Sequence, residues 1–574
     1  MLNTQQIEKI LVKADVVQTA DFAKFKKEAD ESGKRIDNLL MEKKIITPLT
    51  LYESAASFFK IPFIDLKGQT IRKDVLFAVP EPIATTHNLI AFDSDSKKIK
   101  IATTDPTDME IFEFIKKKTG LVPDLYITTP EGLKEAFKQY HKSLKAEFNY
   151  LDDKSVGSER DKDLKKLAED LPVVRIVDTL LEYSIMEGAS DIHIEPEEKD
   201  VLIRYRIDGV LHNVMVLPKS VQSGIIARIK ILANLKVDEH RMPQDGRFKI
   251  TTKDYNVAFR ISIIPAFDGE KIVMRLLNEK AQVMSLEQIG LQQTALDAIK
   301  RNISKPHGMI LVTGPTGSGK TTTLYTILNI LNQPEVNIST IEDPIEYRMP
   351  RVNQSQVNTK IGFTFAMGLR AFLRQDPDII MVGEIRDEET AEIAVHAAMT
   401  GHLVLSTLHT NNAVTTIPRF SEMGTPAFLI ATTVNVIIAQ RLARKICPNC
   451  IQSYNLSKEN IEELGKEMNI DGILKTLEQE KTILDAKRGL QSLLFYRGKG
   501  CKRCNNTGHK GRIGVYEVLE ITEEMSSLIL KNATTDELFH KAREQGLISM
   551  IEDGFIKAKS GITTIEEIMR ITKE

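Results

Sequence analysis

Apolar residues recur along this chain in several rhythms, and each predicts a different kind of element. Val173, Ile176, Val177, Leu180 and Leu181 fall three and four apart and predict one face of a helix ending near Gly188. Asp191-Ile192-His193-Ile194-Glu195 and Leu202-Ile203-Arg204-Tyr205-Arg206 alternate apolar with polar, the period of strands, and Asp208-Gly209 after them is a hairpin signal. Between 285 and 445 four short apolar runs (Met309–Thr313, Val336–Ile341, Ile379–Val382 and Leu403–Thr407) alternate with helical stretches, the mark of a parallel sheet. The longest apolar run, Ala427–Ala439, is broken by Thr432, Thr433 and Asn435; it reads as a core helix, too short to span a membrane.

These rhythms divide the chain. Residues 1–150 predict a first unit in which Val16-Val17-Gln18-Thr19-Ala20-Asp21-Phe22 is echoed by Ile45-Ile46-Thr47-Pro48-Leu49-Thr50-Leu51, each with a threonine able to cap the next helix. Strand-like pieces follow at 89–92 and 99–102, then helical pieces at 109–118 and 130–140, so the unit ends as a small α+β domain. Residues 151–170 are mostly charged and predict a solvated linker. A second α+β domain is expected over 171–284, a parallel-sheet domain over 285–445, a cysteine-bearing subdomain over 446–510, and one strand with several short helices over 511–574.

Composition narrows the class. At 574 residues the chain exceeds a single core. Apolar and charged fractions of 42% and 27% are those of an ordinary soluble protein. A net charge of −2 argues against a dominant nucleic-acid surface. Met1-Leu2-Asn3-Thr4 opens no signal peptide, so a cytoplasmic location is expected, with any membrane work done through partners.

The chemistry is concentrated in the parallel-sheet domain. Gly314-Pro315-Thr316-Gly317-Ser318-Gly319-Lys320-Thr321, with Thr322 next, fills every position of the phosphate-loop pattern between a short strand and a helix. Its glycines let backbone N–H groups close around phosphate, Lys320 reaches the β/γ-phosphates, and the Thr321 hydroxyl holds Mg²⁺. In an open α/β sheet ligands gather at the carboxyl ends of the strands. There the other three runs deliver Glu342-Asp343-Pro344, Gly383-Glu384 and Leu408-His409-Thr410-Asn411. Glu384 or Glu342 can polarise an attacking water or hold a Mg-bound one, and His409 can hydrogen-bond the γ-phosphate. As blander roles, Glu342 and Asp343 cap a helix and His409 is a satisfied structural histidine.

All four cysteines fall in two C-x-x-C pairs, Cys447/Cys450 and Cys501/Cys504. Four thiolates satisfy a closed tetrahedral Zn²⁺ site. A disulfide pair or a redox motif are the alternatives; a cytosolic chain disfavours the first and two matched knuckles the second.

These motifs, taken together, resemble the secretion-superfamily ATPases: the extension motors of type IV pili and the related type II secretion motors. The likeness runs through the phosphate loop, Thr340-Ile341-Glu342-Asp343-Pro344-Ile345-Glu346-Tyr347, the stretch Arg374 to Asp387, and Thr400-Gly401-His402 through Asn411. Gly188 to Pro196 and Pro243-Gln244-Asp245-Gly246-Arg247 resemble the family's second N-terminal domain. The resemblance implies a multidomain α/β chain: an N-terminal docking domain, an α+β domain, a RecA-like P-loop core, a tetracysteine zinc insert and a C-terminal helical subdomain. It implies a homohexamer that binds ATP, with arginines near the nucleotide drawn from Arg241, Arg247, Arg260 and Arg275. It also implies an inner-membrane platform protein as partner, recruiting the motor to the inner face of the cytoplasmic membrane. In some relatives the N-terminal repeat binds cyclic di-GMP through an Arg-Leu-Gly start and a later glycine. Here Arg35-Ile36-Asp37 replaces that start and Asp15 and Lys44 take the later glycine positions, which disfavours that ligand. The reading is a pilus-assembly ATPase. A type II secretion ATPase is the near alternative; a DNA-translocating ATPase and a non-hydrolysing nucleotide-switched scaffold are the distant ones.

Overall fold

A computed structural model of the chain describes residue 2 and residues 4–32, 35–79, 81–140, 171–251, 256–278, 284–504 and 506–573. The expected linker at 151–170 lies outside them. The chain divides into two compact units, one of residues 1–248 and 259–276, the other of 249–258 and 277–574.

The first unit opens with helices Thr4–Lys13, Thr19–Ser32, Ile36–Glu42 and Pro48–Phe59, which bury Leu11, Phe22, Leu40 and Leu51 in one core. The sequence echo has a structural counterpart. Asp15 and Lys44 both sit in the left-handed region at φ 56°, where glycine is usual, and Val16 N and Ile45 N donate back to Leu11 O and Leu40 O at 3.0 Å. A three-stranded sheet follows, β1 (Leu89–Ser94), β2 (Lys98–Thr103) and β3 (Val122–Ile127), with β2 central and helix Met109–Thr119 making the parallel crossover from β2 to β3.

After helix Leu171–Met186 come β4 (Asp191–Pro196), β5 (Asp200–Ile207), β6 (Val210–Pro218), helix Gln222–Leu232, β7 (Gln244–Thr251), β8 (Asn256–Ala266) and β9 (Gly269–Asn278). They form a six-stranded sheet in the order β6-β5-β4-β9-β8-β7. Alternation decides its faces: Phe259, Ile261 and Ile263 on β8 are buried while Arg260 and Ser262 between them are exposed.

The second unit is built on a seven-stranded sheet. Its strands are β10 (Gly308–Thr313), β11 (Ile338–Glu342), β12 (Val352–Gln356), β13 (Ile379–Val382), β14 (Leu403–Leu408), β15 (Val434–Ile446) and, beyond the cysteine subdomain, β18 (His509–Glu520). The order is β12-β11-β13-β14-β10-β15-β18, parallel throughout except for the antiparallel β15–β18 pair. Every residue of β10 is buried, with Met309 and Leu311 in one core cluster and Ile310 and Val312 in the other, so apolar cover lies on both faces.

One expectation is corrected. Ala427–Ala439 is not a single helix: it is helix Ala427–Thr433 followed directly by β15 beside β10. The β-branched run Val434, Val436, Ile437, Ile438 fits a buried pleated surface better than a helix turn.

Between the cysteine pairs lie β16 (Ile451–Asn455), helices Lys458–Glu467 and Ile470–Gln479, and β17 (Leu494–Gly498), with β16 and β17 paired antiparallel. Four helices, Glu523–Leu530, Thr535–Glu544, Met550–Lys559 and Ile565–Lys573, follow β18. Among the described residues no helix is long and apolar enough to cross a membrane.

Candidate nucleotide site and four-cysteine cluster

The phosphate loop begins where β10 ends. Gly314, Gly317 and Gly319 all take positive φ (144°, 81° and 92°). At Gly314 space is decisive as well: a Cβ would come within 2.4 Å of Gln440 O and 2.7 Å of Ser318 Oγ. Helix Lys320–Leu331 starts at once, so its first N–H groups face the loop. Pro315, Thr316, Gly317, Thr321 and Thr322 are exposed, while Ser318 is buried.

Lys320 folds back over the loop. Its Nζ donates to Gly314 O (2.7 Å) and Pro315 O (3.1 Å) and makes no ion pair among the described residues. Burial pushes its pKa down to about 8, against the opposing pull of Glu384 and with help from Arg441.

Two neighbours of the loop went unrecognised in the sequence. Gln440 on β15 donates from Nε2 to Ser318 O (2.7 Å) and accepts from Thr323 Oγ1 (2.7 Å), bracing both ends of the loop. Arg441, next on the strand, is buried, and its Nη2 donates to Asn411 Oδ1 at 3.4 Å. Both follow the run Ala427–Ala439 directly on β15, and it is that strand's pairing with β10 that carries them to the loop.

At the ends of β13 and β14 the structure brings Glu384 and His409 together. The His409 Nε2 to Glu384 Oε2 distance is 3.4 Å, and Arg386 Nη2 lies 2.6 Å from Glu384 Oε1. Burial lowers the His409 pKa, the Lys320 charge lowers it further, and Glu384 opposes, so the imidazole is neutral at pH 7. Thr407 Oγ1 donates to Gly383 O (2.8 Å) and Gly383 N to Ile341 O (2.8 Å), which fixes the backbone before Glu384. Thr410 N donates to Thr313 Oγ1 (2.9 Å), tying the His409 loop to the strand that carries the phosphate loop.

Glu342 has different surroundings. It is buried, and its carboxylate accepts from Tyr325 Oη, from Thr340 Oγ1 (2.5 Å) and from Gln354 Nε2 (3.2 Å). Three donors keep it a satisfied carboxylate, and the charges acting on Lys320 are those of Glu384 and Arg441.

The four arginines lie in the first compact unit. Arg247 on β7 and Arg260 on β8 are exposed. Arg275 on β9 is held by Asp191, Nε to Oδ1, at 3.0 Å. Arg241 is on the loop before β7, 4.0 Å from Glu239. In the N-terminal helices Arg35 is already engaged: Nε and Nη2 donate to the two oxygens of Asp37 at 3.0 and 2.7 Å.

The cysteines converge. Cys447, Cys450, Cys501 and Cys504 place their sulfur atoms within 4.8 Å of one another, all as free thiols. The Sγ–Sγ distances are 3.7 Å (447–501), 3.9 Å (450–504) and 3.6 Å (501–504). Burial raises the Cys450 thiol. At Cys504 burial pushes up too, but the N–H groups of Cys501 and Gly508 pointing at its sulfur leave it below the usual thiol value. The knuckles meet backbone to backbone: a Cβ on Gly498 would stand 2.1 Å from Gly508 O, and one on Gly500 2.6 Å from Asn506 O. Four sulfur donors around one point fit a closed tetrahedral metal.

Comparison with known proteins agrees with this architecture. The family described as type II/IV secretion system protein matches residues 166–570, and an MshEN domain matches residues 59–147, beyond the repeat at 16–51. The type IV pilus assembly ATPase PilB of Pseudomonas aeruginosa is 38% identical over 573 residues, 98% of each chain. The type II secretion system ATPase E of Vibrio cholerae is 43% identical over 415 residues, 72% of this chain and 78% of that one. Among solved structures, the Legionella pneumophila ATPase DotB aligns with a TM-score of 0.50 at 22% identity, over 69% of this chain and 95% of that one, a likeness of fold.

Proposed function

The chain belongs to the type II/IV secretion system protein family, with the type IV pilus assembly and type II secretion ATPases, and on that premise we propose that it is a cytoplasmic hexameric motor hydrolysing ATP to drive assembly of a type IV pilus filament. The observation that carries the reading is the grouping of Lys320, Glu384 and His409 beside a phosphate loop braced by Gln440. Alignment with a pilus assembly ATPase over 98% of both chains, against 72% of this chain for the secretion ATPase, supports the pilus over the secretion system.

In this reading the loop N–H groups and Lys320 hold the β/γ-phosphates, and Thr321, exposed at the first helical turn, is the Mg²⁺ ligand. Bound there, Mg²⁺ would neutralise phosphate charge. Glu384 polarises the attacking water, and neutral His409 orients Glu384 and senses the γ-phosphate. Glu342, whose carboxylate accepts from Tyr325, Thr340 and Gln354, is the second candidate to hold a Mg-bound water. Arg241, Arg247, Arg260 and Arg275 are the candidates to stabilise charge at the nucleotide of a neighbouring subunit. Cys447, Cys450, Cys501 and Cys504 hold a structural Zn²⁺. The N-terminal region docks on an inner-membrane platform protein. The Arg35–Asp37 pairing and non-glycine residues at 15 and 44 speak against cyclic di-GMP as its ligand.

The test is steady-state ATPase activity of the full chain against Glu384→Gln, with native mass and zinc content measured on the same preparations. Wild type turns over as a six-chain assembly carrying one zinc per chain; the variant keeps nucleotide binding and loses about 100-fold or more in turnover. A six-chain wild type that binds ATP without hydrolysing it would move the nucleotide-switched scaffold ahead.

A further inference from the structure

The loop joining helix Gln222–Leu232 to β7 is held from below by a buried ion pair. Lys230 is 0% exposed, although it is the only charged residue in the run Ile229-Lys230-Ile231-Leu232. Its Nζ donates to Glu270 Oε2 (3.0 Å) and to the loop carbonyl Glu239 O (2.7 Å). Glu270, at the start of β9 and also buried, accepts from His240 Nδ1 at 2.7 Å.

Gln244 closes the other side. Its Nε2 donates to Lys236 O (2.9 Å) and Glu239 O (3.0 Å), and its Oε1 accepts from Lys236 N (3.0 Å). The Glu239 carboxylate accepts the Arg241 N–H at 2.7 Å. The backbone leading into Arg241 is thus pinned, yet the Arg241 side chain is 91% exposed and 4.0 Å from the Glu239 carboxylate.

Holding a surface loop this way is costly. A buried Lys–Glu pair commonly adds no more stability than apolar side chains of the same size, because desolvation offsets the attraction. What it adds is direction: charge-assisted hydrogen bonds fix where one carbonyl sits. The chain spends that device on the backbone that presents Arg241.

We propose that Lys230 and Glu270 are positioning residues for ATP hydrolysis, holding the Glu239–Arg241 backbone so that the Arg241 guanidinium is presented to nucleotide phosphate. This rests on the reading of Arg241 as a phosphate-contacting arginine. Lys230 and Glu270 touch no nucleotide; they act through Arg241, so turnover suffers and nucleotide affinity does not.

The experiment is a double-mutant cycle on the full chain: Lys230→Met, Arg241→Ala and the pair, each read for kcat, KM, native mass and thermal midpoint. The expected result is a kcat at least tenfold lower in Lys230→Met with KM and native mass unchanged. The double variant falls no further than Arg241→Ala alone. Glu270→Gln, which keeps the side chain's shape, is run in the same cycle, so a Lys230→Met chain that fails to fold does not leave the question open. Losses that multiply, or a normal kcat in both Lys230→Met and Glu270→Gln, overturn the positioning role while leaving Arg241 its own. A normal kcat in Arg241→Ala removes the premise instead, and the proposal with it.

Discussion

Lys320 and Lys557 lie in the same compact unit, the first partly and the second almost wholly withdrawn from water, and folding leaves them in opposite states. Lys557, almost wholly buried on helix Met550–Lys559, contacts the Asp553 carboxylate, which also accepts Tyr516 N at 2.7 Å; its Nζ stands 5.3 Å from the centre of the Tyr516 ring. Burial drives the Asp553 carboxyl up and the Lys557 ammonium down, and their mutual contact opposes both. Lys320 has no such partner: two loop carbonyls receive its N–H groups, and no carboxylate among the described residues is within ion-pairing reach. A buried charge that meets its counter-charge in the chain is finished by folding. One that meets only carbonyl dipoles is finished by a ligand, which fits a phosphate-binding lysine.

Neutralising each region therefore has mirror-image effects. The largest is at the partnered site. Asp553→Asn leaves the Lys557 ammonium buried without its counter-charge and costs about 3–5 kcal/mol. The thermal midpoint falls, while nucleotide affinity of the chain that remains folded is unchanged. Lys320→Met does the reverse. It removes a charge the fold does not satisfy, so the thermal midpoint holds or rises, and turnover drops by about 100-fold or more. A Lys320→Met chain as destabilised as Asp553→Asn would end the contrast.

Parts of this arrangement were legible from residue order alone. The phosphate loop is eight consecutive positions, three of which take a backbone that favours glycine, and the cysteines declare themselves by spacing, so neither depends on tertiary context. The acids and His409 were legible one step further, because parallel strands deliver their carboxyl ends to one edge. Gln440 and Arg441 were not. They follow an apolar stretch in which a buried strand and a buried helix look alike, and only the β-branched cluster at Val434, Val436, Ile437 and Ile438 hinted at the strand. Glu342 was legible in place, at a strand end, but not in its surroundings: its three donors come from Tyr325, Thr340 and Gln354, which no local pattern joins to it. Lys230 was hidden likewise, since a lone lysine in a helix ordinarily marks the solvent face.

The smallest effect is the sharpest test of what Lys320 lacks. With a pKa of about 8, Lys320 is mostly charged at pH 7 and mostly neutral at pH 9. Bound phosphate supplies the counter-charge that the fold withholds and raises that pKa, so binding above pH 8 must take up a proton. Affinity is therefore flat below about pH 7 and falls by up to tenfold per pH unit above pH 8 until the pKa of the bound state is reached. His409 is shifted below its ordinary value, away from that window. Calorimetry in two buffers of different ionisation enthalpy reads the uptake directly: close to zero at pH 7 and approaching one proton per nucleotide at pH 9. Glu384→Gln moves the onset to lower pH, because the Glu384 charge is what opposes burial at Lys320. An onset that stays put in Glu384→Gln means that the carboxylate and the lysine do not share one electrostatic site. Absence of uptake at pH 9 in wild type means that Lys320 is already satisfied before nucleotide arrives, and its likeness to Lys557 would then outweigh the difference.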